Sequence, residues 1–525
     1  MKLSPPAESK QRMPRISLSM MRERALVWFL VPIAVVLNSF ASTKAAELKV
    51  VDDGTVIQNV TVISPERTAP LAHAVVVVRD GRIAEVGTDL VAGEHAKQID
   101  GRGGFLIPGL IDSHVHVGNQ GPLDDHAIQK HPDLLDAYHI QLPRSYLAFG
   151  FTTLVDLDLR EKSLAWYNAT PLHPNLCSCG RGAHIAGGYG AQKIPKDAAA
   201  ADASNIVYEP DQAKDWPKNL NPHGYSPARA VDRARKVGAI CLKVFYEPGF
   251  GGAANWPVFS SATMTALRTE ASRHGLVMVV HANAVESWRA ALGAHADVIA
   301  HGLWHWPGNK LSVVPAPEAR DVIKQVAAAH VRVQPTLQAV FGELSIFDKS
   351  LLNDPRLAEA LPASVIAYLQ SDEGKAAQEV AAKEYRQAIG RFFGTDVDPL
   401  KVMSVYAERA MASLKIMLQQ NVKLLFGSDT PSNEGIGNPP GLNGRLELGH
   451  WAEAGVPLQE ILRAATLDNA IAFRLSDRGT IEPGKRADLL LLRENPLKSV
   501  AAYDSIDSIF LGGELLPRTS LLPEK

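Results

Sequence analysis

Two histidines one residue apart, His114 and His116, close the apolar run Gly109-Leu110-Ile111-Asp112-Ser113. Residues i and i+2 of a strand project to the same side, so both imidazoles can reach one metal ion. Four further polar residues end later apolar runs. Lys243 follows 239–242, His281 ends 276–280, His301 ends 298–300 and Asp429 ends 424–428. Taken singly, each has a plain structural reading: a snorkelling lysine, a packed histidine, an aspartate that starts a turn before Thr430-Pro431. Together they are six polar groups at the same end of five strands. Such a placement costs stability, and a metal site is its simplest explanation.

The strands that carry them belong to an alternating pattern. Apolar β-type runs at 152–157, 240–245, 276–281, 298–301, 331–336 and 423–427 are separated by helical segments at 228–237, 261–273, 284–292 and 318–330. Strand–helix alternation with wholly apolar strands predicts a parallel sheet, open or closed into a barrel. In a barrel all strand C-termini share one face, where the six residues would converge. Residues 343–420 fit no single strand–helix unit and read as helices over 351–370, 375–393 and 402–420, an insertion before the last barrel strand. The chain ends differ from the middle: short β-branched strands at 48–51, 55–63, 74–79 and 82–86, with Asp80-Gly81 as a hairpin turn, and strands at 488–492 and 508–511 before Gly512-Gly513.

These residues meet a known pattern. The landmarks are Pro108-Gly109-Leu110-Ile111-Asp112-Ser113-His114-Val115-His116, Gly150-Phe151-Thr152-Thr153-Leu154-Val155-Asp156 and Cys241-Leu242-Lys243-Val244. His281-Ala282-Asn283, Ile299-Ala300-His301-Gly302, Gly427-Ser428-Asp429-Thr430-Pro431 and the tail 479–489 complete them. In these the chain resembles the metal-dependent amidohydrolase superfamily, most closely its imidazolonepropionase-like and Xaa-Pro dipeptidase-like members. The resemblance implies an α/β fold: a (β/α)8 TIM barrel over 109–475, with the helical insertion at 343–420 and a small β-sandwich domain built from 46–108 and 476–525.

It also implies two divalent metal ions, zinc first given imidazole and carboxylate ligands. His114 and His116 would hold the buried ion and His281 and His301 the exposed one. Lys243, carboxylated by CO2, would bridge the two, and Asp429 would bind metal and act as the catalytic base. The implied function is cleavage of a C–N (amide) bond in a small peptide or N-acyl amino acid. Two alternatives stand beside it: a hydrolase for a cyclic amide, lactone or ester, and a catalytically silent binding protein on the same fold. Tyr189 stands in Ala186-Gly187-Gly188-Tyr189-Gly190 where several dipeptidase-like relatives carry histidine. Tyr189, Tyr246, Trp304 and His184 are the substrate-binding candidates. His126, His131, His139 and His450 are read as surface or structural.

Composition bounds the rest. A chain of 525 residues with 46% hydrophobic and 21% charged residues is globular rather than disordered. Residues 1–45 run from a basic segment through apolar 25–37 to small residues, the layout of a secretory signal peptide, with an uncleaved anchor as the alternative. Cleavage leaves 47 basic and 54 acidic side chains, a net charge of about −7 that disfavours nucleic acid as a partner. No later segment is apolar enough for a stable membrane span, and the expected location is secreted or periplasmic. The expected partner is a small-molecule amide substrate, with homo-oligomerisation left open. Cys177, Cys179 and Cys241 are too few for a disulfide scaffold and read as inert small residues, or as a metal or redox role for Cys177 and Cys179.

Overall fold

In the computed structural model, which describes residues 48–194, 196–431 and 435–524, eight short strands run parallel around one barrel. In chain order they are Leu110–Val115, Phe151–Asp156, Asn175–Ser178, Cys241–Phe245, Val277–His281, Val298–Ala300, Arg332–Gln334 and Lys423–Leu424. The first three pair with one another, as do the last five. Two seams close the ring. Ile240 N–H donates to Ser178 O at 2.9 Å between the third and fourth strands. Ser113 N–H donates to Phe426 O at 3.2 Å and Asp429 N–H to His114 O at 2.7 Å between the first and the eighth. This is a TIM-barrel-type α/β fold. Inward side chains such as Val155, Val279, Val298 and Leu425 fill the barrel, while Leu242, Val244, Met278 and Val280 alternate outward to meet the surrounding helices.

The helices begin where the local chemistry favours it. Ser226, followed by Pro227, caps Pro227–Lys236, and Ser260 caps Ser261–Arg273, each side-chain oxygen accepting a first-turn N–H. The insertion between the seventh and eighth strands contains Leu337–Glu343, Leu357–Ala360, Ala363–Gln370, Asp372–Phe393 and Pro399–Gln419. The helix expected over 351–370 is broken, because Pro355 and Pro362 cannot donate to a continuing helix.

Both chain ends build one seven-stranded sheet. Its order is Glu514–Pro517, Ile506–Leu511, Leu489–Leu492, Lys97–Pro108, Thr55–Val62, Leu71–Arg79, Arg82–Gly87. Asp80 and Gly81 both take positive φ, 49° and 71°, which suits a tight hairpin. Val56, Val75 and Val77 pack against Val51 and Leu90 of a separate two-stranded sheet, Lys49–Val51 with Leu90–Ala92. Among the strands that the sequence does not announce are Lys97–Pro108 and Asn175–Ser178. The first is interrupted by Gly101, Gly103 and Gly104, and the second is only four residues long.

One expectation is corrected. Cys179 and Cys241 are not inert: they form a disulfide across 62 residues, leaving Cys177 free and half-buried among the described residues. The bond joins the end of the third strand to the start of the fourth, a seam with few backbone hydrogen bonds. Replacing both cysteines by alanine is expected to lower stability by about 2–4 kcal/mol, read as a lower urea midpoint. The expected signal segment lies outside the described residues. Among those described, no helix is long and apolar enough to cross a membrane.

Candidate active site and metal centre

The C-terminal ends of the barrel strands gather the six residues singled out above. His114 Nε2 and His116 Nε2 lie 3.2 and 3.0 Å from the same oxygen, Asp429 Oδ1. Ligand atoms of these three residues all lie within 4.8 Å of one another, the spacing a single cation needs. Lys243 Nζ sits 3.4 Å from His114 Nε2. The His301 ring lies 5.0 Å from that of His114 and 4.6 Å from that of His281. His301 and Asp429 hold left-handed backbones, φ 84° and 60°, as does Thr336 at 46°. Non-glycine residues held there store strain, and three of them cluster at this mouth.

Buried partners face the rings of His281, His301 and His116. His281 Nε2 lies 3.1 Å from Glu247 Oε2, and the other Glu247 oxygen accepts Gly249 N–H at 2.7 Å and the Phe250 N–H. His301 Nδ1 lies 2.9 Å from Thr336 Oγ1. His116 Nδ1 is 3.9 Å from Asp156, whose carboxylate accepts the N–H groups of Val117 and Asp158. Beneath His114, Asp112 accepts from Ser428 N–H at 3.0 Å, from the Ser428 hydroxyl and from His114 N–H at 3.2 Å.

The electrostatics suit cation binding. Burial, reinforced by Lys243, pushes His114 down to about 3. Burial also holds His281 and His301 below the ordinary imidazole range. These rings are therefore neutral at pH 7, the form that ligates metal. Burial works against ionising Asp429, yet His114, His116 and His301 outweigh it and keep the carboxylate charged. Burial lowers Lys243 to about 8, so a fraction of its amine is uncharged at neutral pH. Imidazole and carboxylate donors, one neutral and one anionic, fit a zinc-like divalent ion.

Two connected cavities open above this cluster and share His116, Tyr189, Phe245, Glu343 and Asp429. One, of about 360 Å³, is polar and reaches Asn119, Asp158, Arg160, Arg181 and His184. The other, of about 370 Å³, is walled by aromatic side chains and reaches Lys243, His281 and His301.

The substrate-binding candidates are placed as follows. The Tyr189 ring stacks on His281, with centroids 5.1 Å apart. The Trp304 ring lies 5.2 Å from that of His301. His184 is buried, stacked on Phe245 at 4.1 Å, with Nδ1 3.1 Å from Tyr189 O. Tyr246 is not brought to the site. It lies outside both cavity walls and packs on the outer layer of core with residues such as Val244. Strand alternation is the cause: Lys243 and Phe245 point inward, so Val244 and Tyr246 point out. The same parity points Glu247 inward, and it marks that residue, which the sequence reading passed over. Asn283 and Asp156 fall within motif stretches whose other residues carry the pattern, and the aromatic residues of the insertion carry no signal in the sequence.

Comparison with known proteins comes to the same place. The amidohydrolase family model matches residues 225–516. A dihydroorotase of Syntrophotalea carbinolica is 48% identical over 46 residues, 9% of this chain and 11% of that protein. The chain thus matches about a tenth of the length of that curated relative. A solved amidohydrolase structure aligns with TM-score 0.62 at 20% identity, covering 90% of this chain and 99% of that one. A Xaa-Pro dipeptidase with bound methionine in its active site aligns with TM-score 0.60 at 19% identity, covering 88% and 99%. At these identities the likeness speaks for the fold.

Proposed function

Because this chain belongs to the amidohydrolase family, we propose that its barrel mouth is the active site of an exported, binuclear metal-dependent hydrolase acting on a carbon–nitrogen bond. The bond is the amide of a small peptide or an N-acyl amino acid. The observation that carries this reading is the meeting of His114, His116 and Asp429 on one point, with Lys243 in contact and His281 and His301 beside them. The name of the Xaa-Pro dipeptidase aligned above supports a peptide-like substrate.

His114, His116 and Asp429 would hold one divalent ion, and His281 and His301 a second. Lys243 would serve as a further anionic ligand once its uncharged Nζ had added to CO2, forming an N–C bond and releasing one proton to water. The ions, when bound, supply Lewis acidity toward the scissile carbonyl and ease deprotonation of the attacking water. Asp429 takes that proton on its carboxylate and returns it to the leaving nitrogen, so water adds across the C–N bond to give an acid and an amine. Glu247, Thr336 and Asp156 act through the rings they hold. Glu247→Ala is expected to weaken divalent-ion affinity about 10–100-fold, read by competition with a chelating dye.

The same proposal covers the remaining organisation. Residues 1–45 direct export, the 46–108 and 476–525 segments form a β-sandwich beside the 109–475 barrel, and 343–420 roofs the site. The decisive experiment offers the full chain, with zinc and bicarbonate, a panel of dipeptides, N-acyl amino acids, cyclic amides and lactones, and identifies products by mass spectrometry. Chelator-sensitive release of an acid and an amine is the expected result. Release from lactones or cyclic amides alone would move the assignment, and no cleavage together with no bound metal would overturn it.

A further inference from the structure

The aromatic cavity is not made by the barrel alone. Tyr385, Phe392 and Phe393 come from helix Asp372–Phe393, and Met403 and Tyr406 from Pro399–Gln419. Around them lies a small apolar cluster of the insertion, including Ile389, Val402 and Leu344, separate from the barrel core. It gives the helices a reason to pack together and presents their aromatic faces to the metal-ligand cluster. Phe392 is half-buried, with Lys310 Nζ 3.2 Å above its ring centroid.

Inside this apolar wall are two polar groups with unmet bonding. Asn283 is fully buried and lines the cavity, yet neither its side-chain oxygen nor its nitrogen has a hydrogen-bond partner. The Trp304 indole nitrogen is buried and likewise unpartnered. Unpaired buried polar groups are costly, and in native proteins they mark places that something else satisfies. The backbone around Asn283 is well held, since its carbonyl accepts Trp304 N–H at 2.8 Å and His305 N–H at 3.0 Å. Those bonds hold the backbone of Asn283, while the bonding capacity of its side-chain amide is left for a ligand.

Resting on the hydrolase reading above, we infer that the substrate is an N-acyl amino acid with a bulky aromatic or apolar acyl group. The acyl group occupies the lobe built by the insertion helices. Asn283 and the Trp304 N–H hydrogen-bond the amide, and the free carboxylate lies in the polar lobe toward Arg160 and Arg181. The geometry of the two lobes supports that orientation. They meet at His116 and Asp429, so a scissile amide held there has one end in each lobe. Arg181 already spends part of its charge on Asp158 at 2.6 Å, whereas exposed Arg160 has no ion pair among the described residues. An acyl ring seated among Phe392, Tyr385 and Tyr406 would be removed from water, with aromatic faces on several sides.

The test separates binding from turnover. N-(4-phenylbutanoyl)glycine and N-acetylglycine are titrated calorimetrically into chelator-treated full chain. The phenyl ligand should bind about 30-fold or more tightly, the gain expected from burying one ring. In Phe392→Ala that preference should shrink about tenfold. Asn283→Ala should weaken both ligands about tenfold without lowering the urea midpoint. Equal affinity for the two ligands, no binding of either, or a preference untouched by Phe392→Ala would overturn the assignment of the lobe. Unchanged affinities in Asn283→Ala would overturn the role of that amide. Turnover of the zinc-loaded chain is then scored separately. The expected binding without any hydrolysis would sink the hydrolase reading and leave the lobe standing. Hydrolysis of both ligands at equal kcat/KM would do the reverse.

Discussion

Asp429→Asn is expected to cut amide hydrolysis by about 10²–10⁴-fold while leaving the fold intact. Among the described residues the carboxylate is the one acidic group within reach of both His114 and His116, at 3.2 and 3.0 Å, and its ionisation is secured by three histidines. The amide of asparagine keeps the shape and one acceptor oxygen but cannot take up a proton. The loss should therefore fall on kcat rather than on KM, with circular dichroism and the unfolding midpoint unchanged. Metal content measured in parallel separates the two duties given to this residue. Retained metal with lost turnover identifies proton transfer, and lost metal identifies ligation. Full activity in the variant would remove Asp429 from the reaction.

Lys243→Met carries the second large effect. The lysine is 1% exposed, within a strand whose neighbours are apolar, and its Nζ lies 3.4 Å from His114 Nε2. Methionine fills nearly the same volume without an amine, so the strand should hold. Metal content is expected to fall from about two ions to about one per chain, with activity lower by on the order of 10²-fold or more. Wild-type protein prepared with CO2 excluded should show the same deficit and recover when bicarbonate is returned, whereas the variant should not. A variant that keeps both ions and full activity would dismiss the bridging role.

The parts of this site legible in the sequence are those that break a strong rhythm. His114, His116, Lys243, His281, His301 and Asp429 each interrupt or end an apolar strand, so they stand out against what a barrel core requires. Glu247 and Asn283 do not stand out, because a polar residue just past a strand is ordinary, and Asp156 ends a strand that Thr152 and Thr153 already make partly polar. Only the ring or cavity each one faces gives it meaning. Tyr246 shows the opposite failure: a suggestive spacing of three from Lys243, placed on the wrong side by strand parity. The insertion was visible as helices, but its aromatic residues at 385, 392, 393 and 406 acquire a purpose only when two helices fold over the barrel mouth. The Cys179–Cys241 bond depended on knowing that the third and fourth strands are neighbours, and the third strand is too short to be seen.

The sheet made from both chain ends has a consequence for the order of events during synthesis. Ile107 pairs with Leu490 and Phe105 with Leu492, on a strand that lies at the middle of the sheet. At ~5–20 residues per second, Leu490 is made roughly 20–80 s after Ile107. Throughout that interval one edge of Lys97–Pro108 has no partner, and its apolar side chains lack the cover that Leu489 and Leu491 later give. An exposed strand edge is a template for pairing with other chains. The growing chain is thus expected to engage chaperones until Leu489–Leu492 arrives. A stop codon placed before Leu489 should yield aggregated protein even though every residue of the candidate metal centre has already been translated.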